Sequence, residues 1–86
     1  MIKIIDCFAT WCNPCKALGN ILDKFEKNHP EVTIERKDAD EDEEFFAENN
    51  IRNVPTLIFM KDDEIVYRHA GIMTEQQIED KIKELV

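Results

Sequence analysis

Two cysteines separated by two residues, Cys12-Asn13-Pro14-Cys15, stand between an apolar run and a helical pattern, and no other feature constrains the chain as tightly. Upstream, Ile2 to Phe8 is nearly continuous in apolar residues, the pattern of a central strand buried on both faces. Asp6 is the anomaly inside it. Downstream, Ala17, Leu18, Ile21, Leu22 and Phe25 recur at helical spacing, with Pro14 suited to the first turn and Asn28, His29 and Pro30 ending the segment. Gly19 and Asn20, weak helix formers, fall in its middle and are expected to bend it.

The rest of the chain divides by pattern. Val32 to Lys37 alternates and then turns charged at Glu35, Arg36 and Lys37, which suits an edge strand that must resist pairing with other chains. Asp38 to Glu44 is acidic; Asp40 and Glu43 have capping-box spacing ahead of a short helix carrying Phe45, Phe46 and Ala47. A partner-selecting patch is the minor reading of that run. A calcium loop does not fit, because the position that needs glycine is Glu43. Thr56 to Met60 and Ile65 to His69 form a hairpin through Lys61 to Glu64, and Thr74 caps a last helix with Ile78, Ile82 and Leu85 on one face. The order β-α-β-α-β-β-α makes the first two strands parallel and the closing hairpin antiparallel. This predicts an α/β fold with a mixed four-stranded sheet flanked by three helices, one domain over residues 1–86.

Composition narrows the function. A formal net charge of -8 and the lack of a basic cluster disfavour nucleic acid and anionic membranes as partners. The early apolar run is too short for an export signal or a membrane span, so a soluble, cytoplasmic chain is expected, and a monomer with it as a separate expectation. Cys7, Cys12 and Cys15 are odd in number and crowded, unlike a secreted disulfide framework.

The Cys-x-x-Cys lies where a strand ends and a helix begins, and that placement carries the chemistry. Unpaired N–H groups and the positive dipole end of the first turn stabilise a thiolate at Cys12. Two intervening residues let Cys15 reach it across one turn, so Cys12 is the attacking nucleophile and Cys15 the resolving thiol. Zinc is the weaker reading: His29 and His69 have no partner at ligand spacing and are expected on the surface, and Cys7 is expected to pack as a small apolar residue.

At this point Trp11-Cys12-Asn13-Pro14-Cys15-Lys16 resembles the Trp-Cys-Gly-Pro-Cys-Lys signature of the thioredoxin family. Asp6-Cys7-Phe8-Ala9 is similar to the family's Asp-Phe-x-Ala, Ile51 to Thr56 resembles the segment holding its cis-proline, and Gly71 matches a family glycine. The resemblance covers essentially the whole chain. It implies a protein-disulfide reductase with no bound cofactor beyond its own Cys12-Cys15 disulfide, recharged by a flavoprotein reductase that uses NADPH. It also implies that Asp6 lies beneath the disulfide and exchanges protons with Cys15, and that Pro55 is cis and turns the Val54 backbone toward substrate. Trp11, Asn13, Pro14, Ala39, Val54, Ala70, Gly71 and Ile72 would line a shallow apolar groove. Burial should raise the pKa of Asp6 toward neutrality, as a proton exchanger needs.

Departures from the family pattern leave alternatives open. These residues start at the central strand, without the leading strand and helix of full-length thioredoxins. Asn13 replaces the usual glycine, Gly19-Asn20 stands where a proline is common, and Arg36 occupies the place of a lysine near the buried Asp. A glutathione-linked, glutaredoxin-like carrier is the alternative within the same chemistry. A non-catalytic binding module is the alternative outside it.

Overall fold

The computed structural model describes residues 1–86. Alternation along strand β1, Ile2–Phe8, divides the core in two. Ile2 and Ile4 enter one cluster with Leu18, Leu22 and Phe25 of helix α1, Asn13–Asn28. Ile5 and Cys7 enter another, on the opposite face of the sheet, with Phe46 of the six-residue helix α2, Glu43–Glu48. Two helix-bearing faces explain why β1 reads as almost uninterrupted apolar sequence.

Strand β2, Thr33–Asp38, runs parallel to β1; β3, Thr56–Lys61, and β4, Glu64–Ala70, complete the sheet antiparallel, in the order β2-β1-β3-β4. Helix α3, Glu75–Leu85, adds Ile78 to the α1 face, with Ile82 and Leu85 packed beside it. The mixed four-stranded sheet, the three helices and their order are those the sequence predicts. No helix is long and apolar enough to cross a membrane.

Local chemistry explains the joints. Lys61 pairs with Glu64 across a two-residue loop in which Asp62 and Asp63 both take positive φ, 50° and 71°, a hairpin geometry whose twist matches the strands. Thr74 and Gln77 form a reciprocal capping box at the start of α3. Arg68 donates to the carbonyls of Asn49 and Asn50 just past α2, at 2.7 and 3.2 Å, and so closes a helix end that lacks a basic residue of its own.

Two local expectations are corrected and one is met. The acidic turn does not use a capping box at Asp40 and Glu43: Asp42 is the N-cap without a side-chain cap bond, and its Oδ2 instead accepts from the Asp38 amide at 2.9 Å. Asp38 in turn accepts from the Asp40 amide, so the carboxylates are consumed in tying the β2-α2 turn. β2 lies at the edge of the sheet, as its charged residues lead one to expect. Glu35 bonds Lys3 at 3.0 Å and Lys37 at 3.4 Å, and Lys37 also lies over the Phe45 ring, while Arg36 alternates to the α1 face. His29 is not a free surface residue. It stacks on Phe25 and is held between Glu31 and Glu79, its ring nitrogens 3.4 and 2.8 Å from the carboxylates, because the end of α1 abuts α3.

Candidate active site

Chain direction delivers the two cysteines to one place. After β1 ends at Phe8, three residues turn the backbone and Cys12 becomes the N-cap of α1, with extended φ and ψ of -101° and 112°. An N-cap side chain ordinarily supplies an oxygen to an orphan amide of the first turn. Here the Cys12 sulfur does so, accepting from the Cys15 amide at 3.2 Å. The first turn holds no acidic residue, so no carboxylate competes for the positive end of the helix. When the pair is reduced, that amide and dipole favour the thiolate at Cys12.

Cys12 and Cys15 are joined as a disulfide, with Cα atoms 5.3 Å apart. Both are buried, at 6% and 4% exposure, in a small apolar cluster with Ala9 against which Phe8, Ala39 and Val54 pack. The Cys12 sulfur lies 3.9 Å from the Val54 carbonyl oxygen. The Val54–Pro55 bond is cis, and the Pro55 carbonyl accepts from the Gly71 amide at 2.9 Å. That bond brings the end of β4 to the disulfide; Gly71 has φ of 106°, a conformation suited to glycine, and nothing lies within 4 Å of where a side chain would start. Ala70 pairs with Thr56, next to Pro55.

The structure thus gathers Cys12, Cys15, Ala39, Val54, Pro55, Ala70 and Gly71 on one side of the sheet end. Asn13 and Pro14 are exposed on the first turn of α1. Trp11 is 69% exposed and Ile72 44% exposed, which is large apolar area left open beside a reactive bond.

Asp6 lies on the other side of Cys15. It is 2% exposed, and its Oδ1 has no hydrogen-bond partner, so it is not an Asp consumed by nearby backbone. Burial pushes its pKa up to about 6, against a pull downward from the Arg36 guanidinium. It opens on a cavity of about 320 Å³ whose lining includes Cys15, Lys16, Gly19 and Arg36. The volume is large enough to hold water between the carboxylate and Cys15. Cys7, the next residue, faces away. It is fully buried, and burial together with the Asp6 charge pushes its thiol up to about 12, which leaves it unreactive.

The resemblance put Arg36 near Asp6, but sequence reasoning did not find where its guanidinium goes. Arg36, in register with Asp6 on β2, reaches across α1 and bonds Asp23 at 2.8 Å. The period-2 alternation that sends Ile34 to the α1 face sends Arg36 there too, and was the available signal. No group of three or more His, Cys, Asp or Glu side chains is arranged to hold a metal ion.

Comparison with known proteins agrees with this geometry. The family model described as Thioredoxin matches residues 1–84. The chain is 30% identical over 80 residues to the thioredoxin of Mycoplasmoides gallisepticum, covering 93% of this chain and 80% of that protein. It is 36% identical over 84 residues to the mitochondrial thioredoxin of Bos taurus, of which it spans 51%. Among solved structures, the thioredoxin of Fasciola hepatica superposes with a TM-score of 0.88 at 31% identity, over 96% of this chain and 79% of that one. A malaria parasite thioredoxin-2, described as a component of protein secretion machinery, reaches a TM-score of 0.93 at 21% identity, over 98% and 82%, a likeness of fold alone.

Proposed function

The chain belongs to the thioredoxin family of thiol–disulfide oxidoreductases, and from that premise we propose that it reduces disulfides in other proteins with Cys12 as nucleophile, Cys15 as resolving thiol and Asp6 as the proton acceptor. The observation that carries this reading is the Cys12-Cys15 disulfide capping α1, with one sulfur on an orphan amide and the other beside the cavity that holds Asp6.

The steps balance without a bound cofactor. In the reduced protein the Cys12 thiolate attacks one sulfur of the substrate disulfide, a Cys12-to-substrate bond forms, and the first substrate thiolate leaves and takes a proton from water. Cys15 then gives its proton to the Asp6 carboxylate through the cavity. The Cys15 thiolate attacks the Cys12 sulfur, closing the disulfide and expelling the second substrate thiolate, which is protonated in turn. Two electrons have passed from the dithiol to the substrate. With a pKa of about 6, Asp6 is ionised and able to accept at neutral pH.

The groove supplies orientation. Val54 presents its backbone to an extended substrate segment. Trp11, Asn13, Pro14, Ala39, Ala70, Gly71 and Ile72 offer a shallow apolar surface around Cys12, with Pro55 beneath. A flavoprotein reductase using NADPH would return the electrons, with the cytoplasm as the setting.

The test titrates the Cys12-Cys15 couple against a thiol buffer, following Trp11 fluorescence, and measures turnover of a protein disulfide with either electron source. A two-electron transition near the roughly -270 mV of thioredoxin, turnover with the flavoprotein reductase, and loss of turnover in Cys12→Ser support the reading. Turnover sustained by glutathione alone would replace it with a glutaredoxin-like carrier. Full biological activity in a variant lacking both cysteines would replace it with a binding module.

A further inference from the structure

The cavity behind Cys15 is bounded by an arrangement that the exchange mechanism does not itself require. Its floor is the partnerless Asp6 carboxylate, and its cations are Lys16 on α1 and Arg36 on β2. Cys15 shares it from α1, Leu57 flanks Asp6 on β3, and Cys7 points to the opposite face. Arg36 is the in-register neighbour of Asp6, close enough for its charge to act on the carboxylate. A mobile guanidinium beside a desolvated anion would be drawn onto it, because that ion pair gains more in low dielectric than one in water. Yet Arg36 is not committed there.

Its Nη2 bonds Asp23 Oδ1 at 2.8 Å, on the outer surface of α1, and its Nη1 lies 3.7 Å from the position a Cβ would occupy on Gly19. Gly19 and Asp23 are one helical turn apart, so the first leaves a shallow track over the helix and the second holds the far end of the arm. We propose that Asp23 is a positioning residue for thiol–disulfide exchange: it clamps the Arg36 guanidinium across the Gly19 track and holds that charge at the cavity mouth, off the Asp6 carboxylate.

The clamp does not act through stability. Asp23 is 61% exposed, and an ion pair so placed contributes little to folding. What it decides is where a charge stands relative to the proton acceptor. With the clamp, Asp6 keeps a proton affinity suited to accepting from Cys15 and releasing later. Without it, Arg36 turns inward, pairs with Asp6 and makes the carboxylate a poorer base. This inference rests on the role of Asp6 proposed above, and its test separates the two.

The experiment follows the Asp6 carboxyl by carbon NMR through a pH titration of the oxidised full chain. Asp23→Asn is expected to lower the Asp6 midpoint by about half a pH unit, the scale of one exposed ion pair. Asp23→Glu, which keeps the clamp, is expected to retain the wild-type midpoint. Arg36→Gln is expected to raise it, and Asp23→Asn added to that background is expected to change nothing further. An unchanged or raised midpoint in Asp23→Asn, or an equal fall in the Arg36→Gln background, overturns the clamp. The acid limb of mixed-disulfide resolution, measured on the same variants, should move with the midpoint. A midpoint that moves while the limb stays still removes the role of Asp6, and with it the part of Asp23 in exchange, and leaves standing only the clamp on the Arg36 charge.

Discussion

Asp6 and Cys7 are adjacent in β1, both essentially sealed from solvent, and burial raises the pKa of each, to about 6 and about 12. They differ in what they face. Asp6 points to the α1 side, where a cavity joins it to Cys15 and Arg36; Cys7 points to the α2 side, into Ile5, Phe46, Ile51 and Ile58. Desolvation penalises the charged form of either group, so it brings a carboxyl up into the working range and lifts a thiol out of it. The same burial therefore makes one residue useful and the other inert. A one-residue step along a strand is enough, because it exchanges one face of the sheet for the other.

The comparison breaks first at Asp6. Asp6→Asn is expected to slow resolution of the mixed disulfide by roughly a hundredfold at neutral pH, the lower end of the range for a lost general base, and to abolish the acid limb near pH 6. An unchanged rate would remove Asp6 from the mechanism. The same variant tests the energetic side. Because the folded-state pKa lies above the ordinary value of 3.8, the proton binds the folded protein more tightly, and stability falls as pH rises from about 4 through 6. Removing the buried charge is expected to raise stability at pH 7 by up to about 3 kcal/mol, less whatever the buried amide loses for lack of a partner. Denaturant melts at pH 4 and pH 7 check this: the gain should be present at the higher pH and vanish at the lower.

Cys7 gives the smaller and opposite result. Cys7→Ala leaves a small void in a packed cluster and is expected to lower stability by roughly 1–2 kcal/mol. Turnover should stay within about twofold, and a large loss of activity in a folded variant would show that the α2 side is not inert. Gly19→Ala sharpens the cavity side. A Cβ there would sit at ordinary contact distance from Arg36, so the variant is expected to gain about 0.5–1 kcal/mol from helix propensity with the Asp23–Arg36 bond kept. A raised melting temperature with an unchanged Asp6 titration is the expected pair of results.

Most of the fold was legible because it is locally written. The apolar run of β1, the spacing of Leu18, Leu22 and Phe25, and the cap at Thr74 are properties of short windows, and each appears in the structure where the pattern places it. The hairpin was legible in place but not in kind, since nothing in the four polar residues indicates that Asp62 and Asp63 alone make the turn. The acidic segment misled because three aspartates stand within five positions, and the turn at the end of β2 places Asp42 at the start of the helix. His29 misled because a lone histidine gives no hint of a carboxylate on a helix fifty residues later.

The site divides the same way. Sequence alone determined that Cys12 would head a helix and that Cys15 would lie one turn behind it, since strand, turn and helix are consecutive. It also determined that Asp6 would be buried, because its neighbours are apolar on both sides. Only the tertiary structure decided that Asp6 would lack a partner, that Arg36 would stretch to Asp23 rather than onto it, and that Gly71 would bond Pro55 beside the disulfide. Those outcomes depend on the register between strands some thirty residues apart and on where one helix crosses them. Such contacts are set by how the whole core packs, and no local pattern encodes them.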